Sequence, residues 1–100
     1  MSEDATSQVQ EFRSKIVEVL RRHDVKRASL FGSIVRNEMR QDSDIDLLVE
    51  FSGKKSLLDL VGLKLDLEET VKRRFDVVTY RSISPLLKDR ILGEQVAIIE

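Results

Sequence analysis

Asp44 and Asp46 stand two residues apart at the start of an apolar run, Ile45 with Leu47-Leu48-Val49. In a strand, residues two apart point to the same face, so both carboxylates would be held side by side while Ile45 turns into the core. Two like charges on an otherwise apolar strand cost stability unless a cation neutralises them. Mg²⁺ is the natural candidate, a hard ion that takes one or two carboxylates plus substrate phosphates. Asp76 opens a later apolar run, Phe75 to Tyr80. If the two runs are parallel neighbouring strands, Asp76 lies at the same sheet edge as Asp44 and Asp46. Three carboxylates suit a pair of metals about 3.5–4 Å apart, clamping the attacking and leaving oxygens of an in-line phosphoryl displacement. Gly32-Ser33 follows a third apolar run, Ala28 to Phe31. A glycine lets a phosphate approach the backbone, a helix start offers unpaired N–H donors, and the serine hydroxyl adds another. Each feature alone has a plainer reading, as a turn, a cap or a polar strand opening.

The elements that must position these residues are legible from periodicity. Val9, Phe12, Ile16, Val19 and Leu20 recur at helical spacing between about Ser7 and Arg22. Ala28 to Phe31 reads as a buried strand, and Ser33 to about Met39 as a short helix that Ser33 could cap. Asp42-Ser43-Asp44 is turn chemistry, and Ile45 to Phe51 is the clearest strand. Ser56 to about Arg74 reads as a helix, with Ser56 and Asp59 spaced for a capping box. Phe75 to Tyr80 is a strand, Ser84-Pro85 starts a short helix ending near Gly93, and Val96 to Ile99 makes a last strand. This alternation predicts an α/β (α+β) fold, a small mixed sheet flanked by helices, with the 56–74 helix joining two parallel strands. Residues 1–7 are polar and expected to be frayed, leaving 8–100 as the domain. Lys72-Arg73-Arg74 suits a solvated helix C-terminus, His23 a helix-end cap, and Tyr80 a strand-end position with a wet hydroxyl.

One hundred residues make a single domain. Cysteine is absent, which excludes disulfides, thiolate zinc sites and Cys nucleophiles. No apolar run is long enough to span a bilayer, and the acidic start Met1-Ser2-Glu3-Asp4 is not a secretory signal; a cytoplasmic protein is expected. A formal net charge of −1 provides no global field for nucleic acid, so direct nucleic-acid binding is not expected.

Taken together, Gly32-Ser33, ten intervening residues, and Asp44-Ile45-Asp46 resemble the signature of the DNA polymerase β-like nucleotidyltransferase superfamily. Leu30-Phe31-Gly32-Ser33-Ile34-Val35-Arg36 followed by Ser43-Asp44-Ile45-Asp46-Leu47-Leu48-Val49 resembles its minimal nucleotidyltransferase (MNT) branch. The likeness continues through Ser56 to Leu60, Phe75 to Thr79 and Ile91 to Glu94. The resemblance implies the fold of that superfamily, ATP as donor, and adenylylation with release of pyrophosphate. It implies that Gly32 and Ser33 grip the terminal phosphates and that Asp44 and Asp46 hold Mg²⁺ ions. Asp76 would complete the second metal site and help to deprotonate the acceptor. Arg36, one helical turn beyond Ser33, could hold phosphate bidentately or pair at the surface with Glu38 or Asp42. Ser43 is grouped with the nucleotide-binding residues, its simpler role being to shape the turn.

Larger relatives add a domain that holds the acceptor. A bare MNT domain resembles the antitoxin of MNT–HEPN toxin–antitoxin pairs, which implies a hetero-oligomer with a HEPN ribonuclease toxin that it adenylylates on a tyrosine. Helix 56–74 carries more apolar residues than one narrow stripe, which suits a protein partner. A binding-only antitoxin is one alternative; a nucleotidyltransferase acting on a small molecule such as an aminoglycoside is another.

Overall fold

The computed structural model describes residues 6–36, 38, 40 and 42–99. In chain order these form α1 (Thr6–Arg22), β1 (Val25–Phe31), a 3₁₀ turn (Gly32–Ile34), β2 (Ile45–Phe51), α2 (Leu57–Val71), β3 (Phe75–Thr79), a second 3₁₀ turn (Tyr80–Ser82), α3 (Pro85–Glu94) and β4 (Val96–Ile99). The strands build one mixed sheet in the order β3-β2-β1-β4. β1 runs antiparallel to β2 and β4, whereas β2 and β3 are parallel and joined through α2. The expected α/β architecture and the parallel pair are therefore both present.

α2 starts where its cap dictates. Asp59 Oδ2 accepts the Ser56 N–H at 2.8 Å, and Ser56 Oγ accepts the Asp59 N–H at 3.4 Å. The bonds that the Ser56 N–H and then the Ser56 hydroxyl donate to Asp59 Oδ2 hold the Asp59 carboxyl below its usual range. The helix stops at Lys72, which adopts a left-handed conformation (φ 65°).

The core lies on one face of the sheet. Ile16, Val19 and Leu20 of α1 and Leu63, Leu67 and Val71 of α2 meet Ala28, Leu30, Ile45, Leu47, Val49 and Phe75. Each large side chain buried there contributes about 1.5–3 kcal/mol. Asp66 of α2 braces α1, with Oδ2 2.9 Å from His23 Nε2 and Oδ1 3.3 Å from Arg22 Nη2. The hydrogen bond from His23 is the main reason the Asp66 carboxyl is held below its ordinary range. His23 thus joins two helices through its side chain rather than simply capping α1.

Several boundaries differ from the sequence reading. The short helix expected from Ser33 contracts to the 3₁₀ turn over Gly32–Ile34, with no side-chain cap at its start; Met39 lies outside the described residues. Ile34 and Val35 are drawn into the core (0% and 8% exposed). β1 begins at Val25 rather than Ala28, because a register shift between Val25 and Arg27 keeps both Val25 and Ala28 on the core face despite the intervening Lys26-Arg27. α1 begins at Thr6, within the stretch expected to fray, and residues 1–5 lie outside the described residues. Among the described residues no helix is long and apolar enough to cross a membrane.

Candidate active site

The register brings the predicted residues into one row. Phe31 pairs with Asp46 across β1 and β2, and Asp46 pairs with Asp76 across β2 and β3. Their neighbours Leu30, Leu47 and Phe75 belong to the core. By the alternation of strands, Phe31, Asp46 and Asp76 therefore face away from α1 and α2. The Asp46 carboxyl is pushed up to about 6, first by burial, then by the negative charges of Asp76 and Asp44. Such convergence of like charges is what a bound cation would relieve.

Gly32 is fixed by two constraints. Its φ is +81°, a conformation that L side chains rarely adopt. A Cβ at this position would collide with Asp46 Oδ2. The Gly–Ser turn and the central carboxylate are thus in direct apposition, with no room for a side chain between them.

Glu94, the last residue of α3, fastens this turn. Its Oε1 accepts the Gly32 N–H at 3.3 Å, and both its oxygens accept from Arg36 Nη1 at 3.1 Å. Arg36 Nε also donates to Glu38 Oε1 at 3.0 Å. The bonds it donates to Glu38 and then to Glu94 hold Arg36 more firmly in its charged form. Arg36 therefore sits beside the Gly–Ser turn as expected and forms the expected pair with Glu38. It also holds Glu94, an interaction invisible in the sequence because the two lie far apart in the chain.

Asp44 faces a different partner. Its Oδ1 lies 3.3 Å from Arg74 Nε. Arg74 Nη2 also donates to the Asp42 carbonyl at 2.8 Å, while Arg73 Nη2 donates to the Arg40 and Ser43 carbonyls at 2.6 and 3.3 Å. Ser43 Oγ accepts the Arg40 N–H at 3.0 Å, in keeping with a turn-shaping role. The basic run read as a solvated helix end is therefore a brace for the loop that carries the first carboxylate. The parallel register explains this: the Ile45 N–H donates to the Arg74 carbonyl at 2.8 Å, so the start of β2 and the residues before β3 are adjacent.

Among the described residues no three His, Cys, Asp or Glu side chains are grouped closely enough to enclose a metal. The donor chemistry nonetheless fits a hard divalent ion: Asp46 and Asp76 are opposed in register, Asp44 lies close enough to perturb Asp46, and all supply carboxylate oxygens. Tyr80, partly buried at the end of β3, places its hydroxyl 3.1 Å from the buried Ser29 Oγ.

A mixed sheet with this strand order, a Gly–Ser turn pressed against its central carboxylate, and a second carboxylate in register define a nucleotidyltransferase of the polymerase β type. The chain belongs to the Polymerase beta nucleotidyltransferase family, whose sequence model matches residues 14–100. It is 57% identical over 91 residues to a Methanocaldococcus jannaschii protein provisionally named a protein adenylyltransferase, covering 91% of this chain and 98% of that relative. It is 37% identical over 79 residues to the protein adenylyltransferase MntA of Thermococcus cleftensis, covering 79% of this chain and 80% of the relative. Among solved structures, one provisionally described as a minimal nucleotidyltransferase superposes with a TM-score of 0.77 at 38% identity, over 93% of this chain and 94% of the other. A toxin–antitoxin complex containing MntA matches with a TM-score of 0.69 at 26% identity, over 84% of this chain and 68% of the other.

Proposed function

We propose that this protein is an Mg²⁺-dependent protein adenylyltransferase, an antitoxin that transfers AMP from ATP to a tyrosine of a cognate HEPN ribonuclease toxin. One observation carries the chemistry: Asp46 is half-buried, opposed to Asp76, and in contact range of the Gly32 turn. The names of the relatives support a protein as acceptor, and the toxin–antitoxin complex sharing this fold supports a toxin as partner.

In this reading the Gly32-Ser33 turn and Arg36 hold the terminal phosphates of ATP. Asp44, Asp46 and Asp76 would hold Mg²⁺, which when bound neutralises the charge gathering on the transferring phosphoryl group. Asp44, now 3.3 Å from Arg74 Nε, would have to give up that contact to hold the cation. The phenolic oxygen of the acceptor attacks the α-phosphorus, and the bond to the β-phosphate oxygen breaks. Pyrophosphate leaves toward Gly32 and Ser33, and the phenolic proton passes to Asp76 or to water. Catalysis is mainly positioning and charge neutralisation.

The test combines this protein, labelled ATP, Mg²⁺ and the product of the adjacent gene. Label should appear on the partner and disappear with an Asp44→Asn/Asp46→Asn variant. An unlabelled partner, or labelling undiminished in that variant, refutes the proposal. Neutralisation of the toxin by the same variant at equal expression would favour a binding-only antitoxin.

A further inference from the structure

Glu94 stands where its own helix does not favour it. It is the last residue of α3, a helix with no basic residue in its final turn, and a negative charge there opposes the partial negative charge of the carbonyl end. Its contacts lie elsewhere. Oε1 accepts the Gly32 N–H at 3.3 Å and, together with Oε2, accepts from Arg36 Nη1 at 3.1 Å. The carboxylate is also near enough to Asp46 for its charge to favour the protonated form of that group. An anion so close to other carboxylates is held against repulsion, and the Gly32 N–H and the Arg36 guanidinium are the donors that hold it.

Those two donors are the ones that the reading above gives to the terminal phosphates of ATP. A carboxylate and a phosphoryl group present them with the same chemistry, anionic oxygens on one centre. Gly32 has a single N–H, so Glu94 and a phosphate cannot both hold it. Little is lost when Glu94 lets go. The bond from Gly32 is long, at 3.3 Å, and the Glu94 side chain is 26% exposed, so water can receive it. Arg36 keeps a second carboxylate through a bond that does not involve Glu94, from Nε to Glu38 Oε1 at 3.0 Å. Departure of Glu94 therefore strands neither charge.

We infer that Glu94 is a resident competitor for the phosphate seat: it occupies the donors of Gly32 and Arg36 in the free protein, yields them to ATP, and takes them back as pyrophosphate departs. The inference rests on the adenylyltransferase reading above. No bond of the reaction is made or broken at Glu94; it is a positioning residue that acts through the turn. Because the carboxylate is tethered to α3, it competes at a fixed effective concentration, whatever the concentration of ligand. ATP and pyrophosphate lose the same factor in affinity. ATP has a base, a ribose and an α-phosphate by which to stay bound, whereas pyrophosphate has nothing beyond the seat. The carboxylate thus keeps the product from lingering where the next ATP must bind.

The test measures binding of pyrophosphate with Mg²⁺ to the full chain by calorimetry, for the wild type, Glu94→Gln and Glu38→Gln. Glutamine keeps the length of the side chain and an oxygen for the Gly32 N–H but loses the charge-assisted bond to Arg36, so Glu94→Gln should bind pyrophosphate about fivefold more tightly. Glu38 also pairs with Arg36, yet its variant should stay within about twofold of the wild type at physiological salt, where charge acting at a distance is screened. In the labelling reaction with the product of the adjacent gene, pyrophosphate should inhibit Glu94→Gln at about one-fifth of the concentration that inhibits the wild type. An affinity unchanged or weakened in Glu94→Gln would make the residue a brace for the turn and overturn the inference. Equal gains in the two variants would show a general effect of negative charge and overturn it too. Glu94→Ala divides the readings again, since losing a competitor tightens binding and losing a brace weakens it. A wild type that binds ATP and pyrophosphate but labels no partner refutes the adenylyltransferase reading alone. A wild type and variants that bind neither refute the phosphate seat, and this inference with it.

Discussion

On the face covered by α1 and α2, Leu30, Ile45, Leu47 and Phe75 are at most 1% exposed. On the other face the same strands, through alternate residues, present Arg27, Ser29, Asp46, Glu50 and Asp76. The covered face is chosen for stability: apolar, close-packed, with its helices braced at Asp66. The uncovered face contains an arrangement that works against stability, carboxylates placed near one another and one of them half-buried. Leu48 is fully buried yet lies on the uncovered face between Asp46 and Glu50, so that face is not simply a solvated surface.

Substitutions can break this contrast one face at a time. The largest expected loss of stability comes from the covered face. Leu67→Ala should cost about 2–5 kcal/mol, read by urea denaturation, because it empties a fully buried site between α2 and the sheet. On the uncovered face, Gly32→Ala should lower nucleotidyl transfer about 10²-fold or more. It forces a side chain into Asp46 Oδ2 and strains a φ of +81°, so a kcat within twofold of wild type would contradict the apposition of the turn and the carboxylate.

Asp46→Asn sharpens the comparison, because it should stabilise the fold while removing activity. The folded carboxyl titrates at about 6, above its ordinary value of 3.8. The folded state therefore holds this proton more tightly than the unfolded chain. The stabilisation this provides is fully present below the ordinary value and lost as pH rises through about 6. At pH 7 without metal the asparagine variant should be more stable than wild type by about 1 kcal/mol, after discounting the shift for solvent screening. That advantage should vanish near pH 4 (a value set by the ordinary carboxyl range). Mg²⁺ should raise the Tm of the wild type and leave the variant unmoved. The smallest effect belongs to the outer side of α2. Leu58 and Leu65 are 81% and 58% exposed, so Leu58→Ser/Leu65→Ser should change stability by less than about 0.5 kcal/mol. A pull-down then reads whether that side contributes to partner binding.

The sequence made some of this visible and hid the rest for definite reasons. Gly32-Ser33, Asp44, Asp46 and Asp76 stand out because strand period and turn chemistry are local, and the capping box at Ser56 and Asp59 is a pattern within four residues. The parallel register that sets Asp76 beside Asp46 depends on the sheet order, which no local pattern dictates. Glu94 was not legible as a partner of Gly32, since nothing in its neighbourhood announces a contact with a turn so distant in sequence. Arg73 and Arg74 looked like an ordinary basic helix end because their partners are backbone carbonyls, which leave no trace in composition. The bulge at Val25–Arg27 hid the start of β1 by breaking the alternation from which strands are read.

Glu94 occupies two places at once: it closes α3 and it fastens the Gly–Ser turn. That bond couples the end of the helix to the shape of the turn. α3 displays Leu86 at 93% exposure and Leu87 at 50%, handles by which another molecule could shift it. If the turn holds phosphate as proposed, any ligand that prefers one setting of α3 would change the affinity of the turn for phosphate, and phosphate would change the affinity for that ligand by the same factor.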